Sequence, residues 1–122
     1  MGAERRQAFR LTITMPVGIA FAASAEELVI NAQTVNISAG GIGFVTSAAY
    51  DVGDLLALVL DLGEDPRLRL QARVLHVDPL PRQRDRRRIG ARFTELARHD
   101  EDRLVRWILR RQAERLKDHY SV

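Results

Sequence analysis

Arginines near the start of the chain are the first residues whose type and spacing suggest a binding role. Arg5, Arg6 and Arg10 precede the first alternating apolar segment, where packing gives no reason for them. A guanidinium group can bond two phosphate oxygens, or the O6 and N7 atoms of guanine, in a bidentate manner. Residues 1–11 therefore predict either a solvated basic tail or a flexible arm that binds a phosphate or a guanine.

A second polar group follows at residues 36–41, with the sequence NISAGG. Strand alternation places Asn36 and Ser38 on the same side of a strand end. The adjacent Gly40 and Gly41 predict a tight turn with positive φ. The two polar side chains could satisfy local backbone groups, as in an Asx or Ser turn, or they could bind the edge of a base. The residues alone leave both alternatives open.

A late basic segment is the third feature. Gly90 lies inside a predicted strand, which indicates a bulge or a close approach of another group. Five arginines precede it, and they predict a solvated loop, a nucleic-acid contact or a contact with an acidic partner: Arg82, Arg84, Arg86, Arg87 and Arg88. The net charge of +3 is concentrated in the arm and this segment, with an acidic stretch between them. That distribution favours a local anion site over a broad nucleic-acid-binding face.

The elements that must position these residues follow from hydrophobic periodicity. Alternation predicts six strands, near residues 13–21, 27–37, 42–46, 55–62, 68–76 and 88–93. Pro79 and Pro81 predict a loop over 78–86. A spacing of 3.6 predicts a helix over 98–119, with Leu104 and Ile108 on its apolar face. The fold class is mainly β, an antiparallel six-stranded β-barrel with a C-terminal α-helix and a flexible N-terminal arm.

Several classes of protein are disfavoured by what the sequence lacks. It has no cysteine, so disulfides and thiolate metal sites are excluded. His76, His99 and His119 lack metal-ligand spacing, and no glycine loop matches a phosphate-binding fingerprint. We therefore expect no enzymatic activity, no metal and no cofactor. No apolar run approaches the ~18 residues of a membrane span, and the first residues do not resemble a signal peptide. We expect a cytoplasmic protein.

The order and spacing of these three features together are more specific than any one of them alone. An RRxxxR arm, an NxSxxG group and a late strand with GxxF resemble the PilZ domain family over almost the whole chain, 1–122 as one domain. The resemblance implies a split barrel over 12–94 that receives the bacterial second messenger cyclic di-GMP. The motif positions carried over to this sequence are six ligand-binding residues: Arg5, Arg6, Arg10, Asn36, Ser38 and Gly41.

The function implied is that of a non-enzymatic receptor whose arm orders over the ligand and so changes an interaction surface. The alternative is an interaction module that binds no nucleotide and docks to pilus, flagellar or polysaccharide machinery. Single-stranded nucleic acid is disfavoured, because only 6% of residues are aromatic and Phe21, Phe44 and Phe93 fall at core positions.

Several questions about assembly and output stay open at this stage. We expect a downstream protein partner, with a homodimer through the C-terminal helix as a further alternative. Arg5 could bridge a second ligand, so we expect a stacked ligand pair per chain, with one molecule as the alternative. The output (motility, biofilm exopolysaccharide, pilus assembly or transcription) and the extent of the full protein stay open. The C-terminal end resembles flagellar-brake-type PilZ proteins, which carry a second domain ahead of the arm.

Overall fold

Seven strands and one long helix follow each other in a computed structural model that describes residues 10–24 and 30–120. The strands are β1 (Leu11–Thr12), β2 (Pro16–Phe21), β3 (Ile30–Ile37), β4 (Gly41–Thr46), β5 (Leu55–Leu60), β6 (Leu68–Leu80) and β7 (Gln83–Thr94). A single 3₁₀ turn, Ala22–Ser24, follows β2, and the helix α1 spans Arg98–Tyr120. No helix among the described residues is long and apolar enough to cross a membrane.

The strands close into a barrel. Their order is β1-β3-β2-β5-β6-β7-β4, and an additional β3–β4 pairing joins the two sides of the sheet. Every neighbouring pair is antiparallel. The predicted six-stranded antiparallel barrel is therefore confirmed, with β1 as one extra strand. Closure removes the unpaired edges that an open sheet would expose.

The extra strand β1 lies before the first predicted strand, 13–21, of which Pro16–Phe21 form β2. Both β1 and β2 pair with β3, Leu11 with Ile37 and Pro16 with Gln33. Between them the Thr34 hydroxyl donates to the carbonyl of Ile13 at 2.6 Å and accepts the N–H of Met15 at 3.0 Å. Pro16 lacks an N–H and begins β2, a position at the start of a strand where proline is tolerated.

The core fills the barrel and extends under the helix. Alternate residues of each strand point inward, and Phe44, Leu58 and Ile89 have no exposed surface. Helix α1 adds Leu104 and Ile108, which are also fully buried. The inner face is thus mainly apolar, with Thr34 and Thr46 as its buried polar residues, and the polar residues that could bind a ligand lie on the outer face and at the strand ends.

The predicted loop over 78–86 is wrong. Strands β6 and β7 continue through it as a hairpin in which Pro79 pairs with Arg87 and Leu80 with Gln83. The pairing of β5 with β6 ends at Arg73 and that of β4 with β7 ends at Arg87, so the tip of this hairpin projects past the barrel. Most of its side chains are exposed on both faces, which leaves no apolar alternation for sequence analysis to detect. Pro79 is tolerated because a projecting strand needs fewer ladder hydrogen bonds.

Candidate functional site

A cleft of about 260 Å³ lies where the β3–β4 turn meets the last strands of the barrel. Four predicted site residues line it together: Arg10, Asn36, Ser38 and Gly41. The other two, Arg5 and Arg6, lie outside the described residues. A larger cavity of about 370 Å³ near the start of α1 contains none of the six. We therefore take the smaller cleft as the candidate site.

Ser38 holds the turn beside the cleft. Its hydroxyl accepts the N–H of Gly40 at 3.3 Å and the N–H of Gly41 at 3.1 Å, and it lies 3.3 Å from the Gly41 carbonyl, to which it donates. The Ser38 N–H donates to the same carbonyl at 2.9 Å. Ser38 therefore follows the turn alternative, in which a side chain satisfies local backbone groups.

Position 41 needs glycine because a side chain has no room there, and not because the backbone has a positive φ. A Cβ atom on Gly41 would collide with the carbonyl oxygen of Ala91 on β7. The glycines with positive φ among the described residues are Gly53 and Gly63, so the positive φ predicted for this turn is wrong. Ser38 closes the turn by hydrogen bonds, and an ordinary backbone conformation suffices. The glycine lets β4 and β7 approach closely at the floor of the cleft.

Asn36 presents an amide to the cleft. It is partly buried on β3 and lies opposite Gly43 on β4. A Cβ on Gly43 would lie 3.1 Å from the Asn36 Oδ1 atom, so the amide occupies the space that a larger residue would fill. Its side chain makes no hydrogen bond to any other residue of the described part of the chain. Both the donor and the acceptor of the amide can therefore serve a ligand.

Arg10 stands at the mouth of the cleft, directly before β1. Its side chain is exposed, and the β1 register places it close to the end of β3, because Leu11 pairs with Ile37. Its carbonyl oxygen accepts a hydrogen bond of 2.7 Å from Nε2 of Gln112 on α1. The backbone of Arg10 is thus held between the cleft and the helix.

A β-bulge forms the opposite wall. Val74 pairs with Ala91 and His76 with Gly90, so Leu75 is an extra residue in β6. The His76 ring covers Gly90 so closely that a Cβ there would collide with it. His76 Nδ1 also lies 3.4 Å from Asp78 Oδ2. The bulge therefore aims an imidazole at the cleft, as bulges near functional sites do.

Sequence analysis missed two residues of this wall, His76 and Arg88. An isolated histidine carries no spacing signal, and Arg88 was one of five arginines in a predicted loop. Gly90 was the available signal, because a glycine inside a strand indicates a close approach. The register now shows that His76 is the approaching group.

The chemistry of the cleft is that of binding. It offers guanidinium groups at Arg10 and Arg88, an amide at Asn36 and an imidazole at His76. Planar cations suit phosphates and base edges, and a flat imidazole or guanidinium can stack on a base. The lining therefore fits a ligand that is anionic, planar and rich in hydrogen-bonding edges.

Comparison with known proteins identifies the family. The family model described as "PilZ domain" matches residues 4–118. This chain belongs to the PilZ domain family. The match confirms the resemblance that the RRxxxR and NxSxxG motifs carried. Among the curated proteins, none matches the chain.

Three solved structures share the PilZ fold. The Bacillus subtilis inhibitor of motility MotI/DgrA is 26% identical with a TM-score of 0.70, covering 87% of this chain and 50% of its own. A Xanthomonas campestris tetrameric PilZ protein, self-assembled through a helical bundle, is 14% identical with a TM-score of 0.70, covering 88% of both chains. Escherichia coli YcgR, solved with c-di-GMP, is 19% identical with a TM-score of 0.63, covering 91% of this chain and 48% of its own. The chain spans about half the length of the first and third.

Proposed function

We propose that this PilZ domain is a non-enzymatic receptor for cyclic di-GMP. The observation that carries the proposal is that one cleft gathers Arg10, Asn36, Ser38 and Gly41, which lie on separate parts of the chain. The family membership and the similarity to YcgR, which was solved with this nucleotide, support the same ligand.

The ligand's chemistry matches the cleft group by group. Cyclic di-GMP carries two phosphates and two guanines, so it requires cations and base-edge contacts together. Arg10 supplies a bidentate cation for a phosphate or for guanine O6 and N7. The Asn36 amide supplies a donor and an acceptor for a guanine edge. Ser38 and Gly41 keep the turn in place beneath them.

The arm supplies the remaining cations in this proposal. Arg5 and Arg6 complete the RRxxxR motif and close over the bound nucleotide. Because Gln112 holds the Arg10 carbonyl, ordering of the arm changes the surface that the arm and α1 form together. A ligand shifts such an equilibrium only through contacts made in the closed state, and the arm arginines are those contacts.

The site acts in the cytoplasm, where the nucleotide signals, and its output passes to a downstream protein or to a second copy of the chain. Control of motility is the output we favour, since MotI/DgrA is described as an inhibitor of motility and is 26% identical. Nucleic acid is not part of the proposal, because Phe44 and Phe93 are buried. The core position predicted for Phe21 is wrong: its side chain is 44% exposed at the end of β2, where its ring packs edge-on against Tyr50.

Isothermal titration calorimetry with cyclic di-GMP tests the proposal, with GTP as the ligand control and two salt concentrations. We expect saturable binding of cyclic di-GMP and no response to GTP. The fitted stoichiometry separates one ligand molecule from a stacked pair. No heat with either nucleotide would transfer the assignment to the interaction module that binds no nucleotide.

Matched arginine variants assign the site. Arg10→Ala is expected to weaken binding about ten- to hundred-fold, the value of one bidentate contact, and Arg6→Ala similarly. Arg84→Ala removes an arginine of the projecting hairpin that does not line the cleft, and affinity should be unchanged. Ser38→Ala should weaken binding less than Arg10→Ala. Equal affinities of the Arg10 and Arg84 variants would contradict the site.

A further inference from the structure

The second half of helix α1 has little contact with the barrel. Leu104, Trp107 and Ile108 are buried, and Gln112 still touches Arg10. Residues 113–118 are all exposed. At a rise of about 1.5 Å per residue, these six residues alone carry the helix about 9 Å past the barrel. A projecting helix of this kind offers a surface on nearly all sides.

An apolar seam runs along this projecting part. Leu109, Ala113 and Leu116 are spaced by four and then three residues, the spacing of a coiled-coil contact line. Leu109 is 45% exposed and Leu116 is 59% exposed. At about 100° per residue, the line lies on the side of the helix away from Leu104 and Trp107. The seam, defined as Leu109, Ala113 and Leu116, therefore faces away from the barrel.

One flank of the seam is basic. Helical geometry places Arg106, Arg110 and Lys117 along that side, and the neutral Gln112 along the other. The acidic residues of this part of the helix, Glu114 and Asp118, fall on the remaining side, where Glu114 lies 3.6 Å from Arg111. Arg110 lies 3.7 Å from Glu64, an exposed pair that contributes little energy.

The positive charge beside the seam determines which kind of partner fits it. Two antiparallel copies of the helix packed through the seam would bring their basic flanks together, and like charges across an interface disfavour pairing. Two parallel copies would set the basic flank of one helix against the neutral Gln112 flank of the other, which supplies no opposite charge. A helix with an apolar stripe flanked by glutamate or aspartate would meet the basic flank with opposite charge. We propose that the seam docks an acidic amphipathic helix of a partner protein. The proposal does not depend on nucleotide binding.

The test uses the full chain and a synthetic probe. The probe is a dye-labelled peptide of roughly four heptads, with leucine at the a and d positions and glutamate at e and g. A peptide with lysine in place of glutamate is the charge control. Fluorescence anisotropy gives the dissociation constants, and we expect the glutamate peptide to bind at least ~10-fold more tightly.

Matched variants distinguish the seam from other exposed apolar surface. Leu116→Ser should weaken binding of the glutamate peptide at least ~10-fold. Val52→Ser alters another exposed apolar side chain, 65% exposed in the turn before β5, and should leave binding unchanged. Lys117→Glu should weaken the glutamate peptide and improve the lysine peptide. Circular dichroism melting checks that every variant is folded.

Three results would overturn the proposal. Equal binding of the two peptides would show that charge does not select the partner. Equal losses in the Leu116 and Val52 variants would show that the seam is not the contact. A dimer in sedimentation velocity that Leu116→Ser abolishes, with no peptide binding, would assign the seam to a second copy.

Discussion

Strands β6 and β7 pair along almost their whole length, yet their two halves are held in different ways. In the half toward α1, Ala72 pairs with Phe93 and Val74 with Ala91, and the inward side chains are buried in the core. In the other half, Pro79 pairs with Arg87 and the side chains are mostly exposed. The bulge at Leu75 lies between the halves, and the candidate cleft opens beside it.

The difference separates two sources of stability. The barrel half is stabilised by removal of apolar surface from water, at about 25 cal/mol per Å². The projecting hairpin has backbone hydrogen bonds and a short turn but little burial, and two strands alone are marginally stable in water. The rigid half therefore fixes the cleft, and the hairpin can carry charge with few packing constraints.

The largest expected effect breaks the barrel half. Leu70→Ala should lower the free energy of unfolding by about 2–5 kcal/mol, because Leu70 is buried on the barrel side of the bulge and its truncation leaves a cavity. Leu80→Ala in the hairpin should cost less than about 1 kcal/mol, because Leu80 is only half-buried. Urea denaturation measures both. Equal losses would mean that the hairpin is as well packed as the barrel wall.

A smaller effect compares two adjacent glycines, one inside the wall and one outside it. Gly41→Ala should lower the free energy of unfolding by about 1–3 kcal/mol, because the new Cβ collides with the Ala91 carbonyl. Gly40 has no atom within 4 Å of the position of a Cβ, so Gly40→Ala should stay within about 0.5 kcal/mol of the wild type. Thermal melts distinguish the two, and a normal melting temperature for Gly41→Ala would show that β4 can move away.

A third comparison tests the bulge that divides the two halves of β6 and β7. Gly90→Ala should cost under about 1 kcal/mol, because the colliding group is a side chain that can turn away. The same change should weaken cyclic di-GMP binding, since the His76 ring must leave the cleft wall. In a His76→Ala background, Gly90→Ala should have less effect on stability, which a double-mutant cycle measures. Strictly additive losses would show that the ring is not the constraint.

The smallest expected effect on stability is at the hairpin arginines. Arg84→Gln and Arg88→Gln should each change the free energy of unfolding by less than about 0.5 kcal/mol, because both side chains are exposed. Arg88 lines the cleft and Arg84 does not, so calorimetry should show weaker cyclic di-GMP binding only for Arg88→Gln. Equal binding by the two variants would remove Arg88 from the site.

The same contrast explains what the sequence could predict. Strands that bury one face, such as β4 and the first half of β6, alternate in the sequence as they do in the structure. Helix α1 was predictable because Leu104 and Ile108 repeat at helical spacing. The projecting hairpin buries neither face, so its residues carry no period, and Pro79 and Pro81 indicated a loop instead.

Predictability of the site depends on the kind of signal. Arg10, Asn36, Ser38 and Gly41 could be predicted because a family motif fixes their spacing, and the structure brings these four together. The sequence could not predict why position 41 needs glycine, since a positive φ and a close approach of another strand both favour glycine. The position of His76 in the cleft wall could not be predicted either, because it depends on one extra residue, Leu75, that shifts the register of β6.

The hydrogen bond from Gln112 to Arg10 links helix α1, just past its middle, to the root of the arm, and the helix continues for two turns beyond that point. Leu104 and Ile108 hold the first half of the helix in the core. Over about 12 Å of free helix, a bend of about 10° at Gln112 would move the tip by about 2 Å. A displacement of Arg10 that bends the helix there would therefore move its far end while its buried half stays in place.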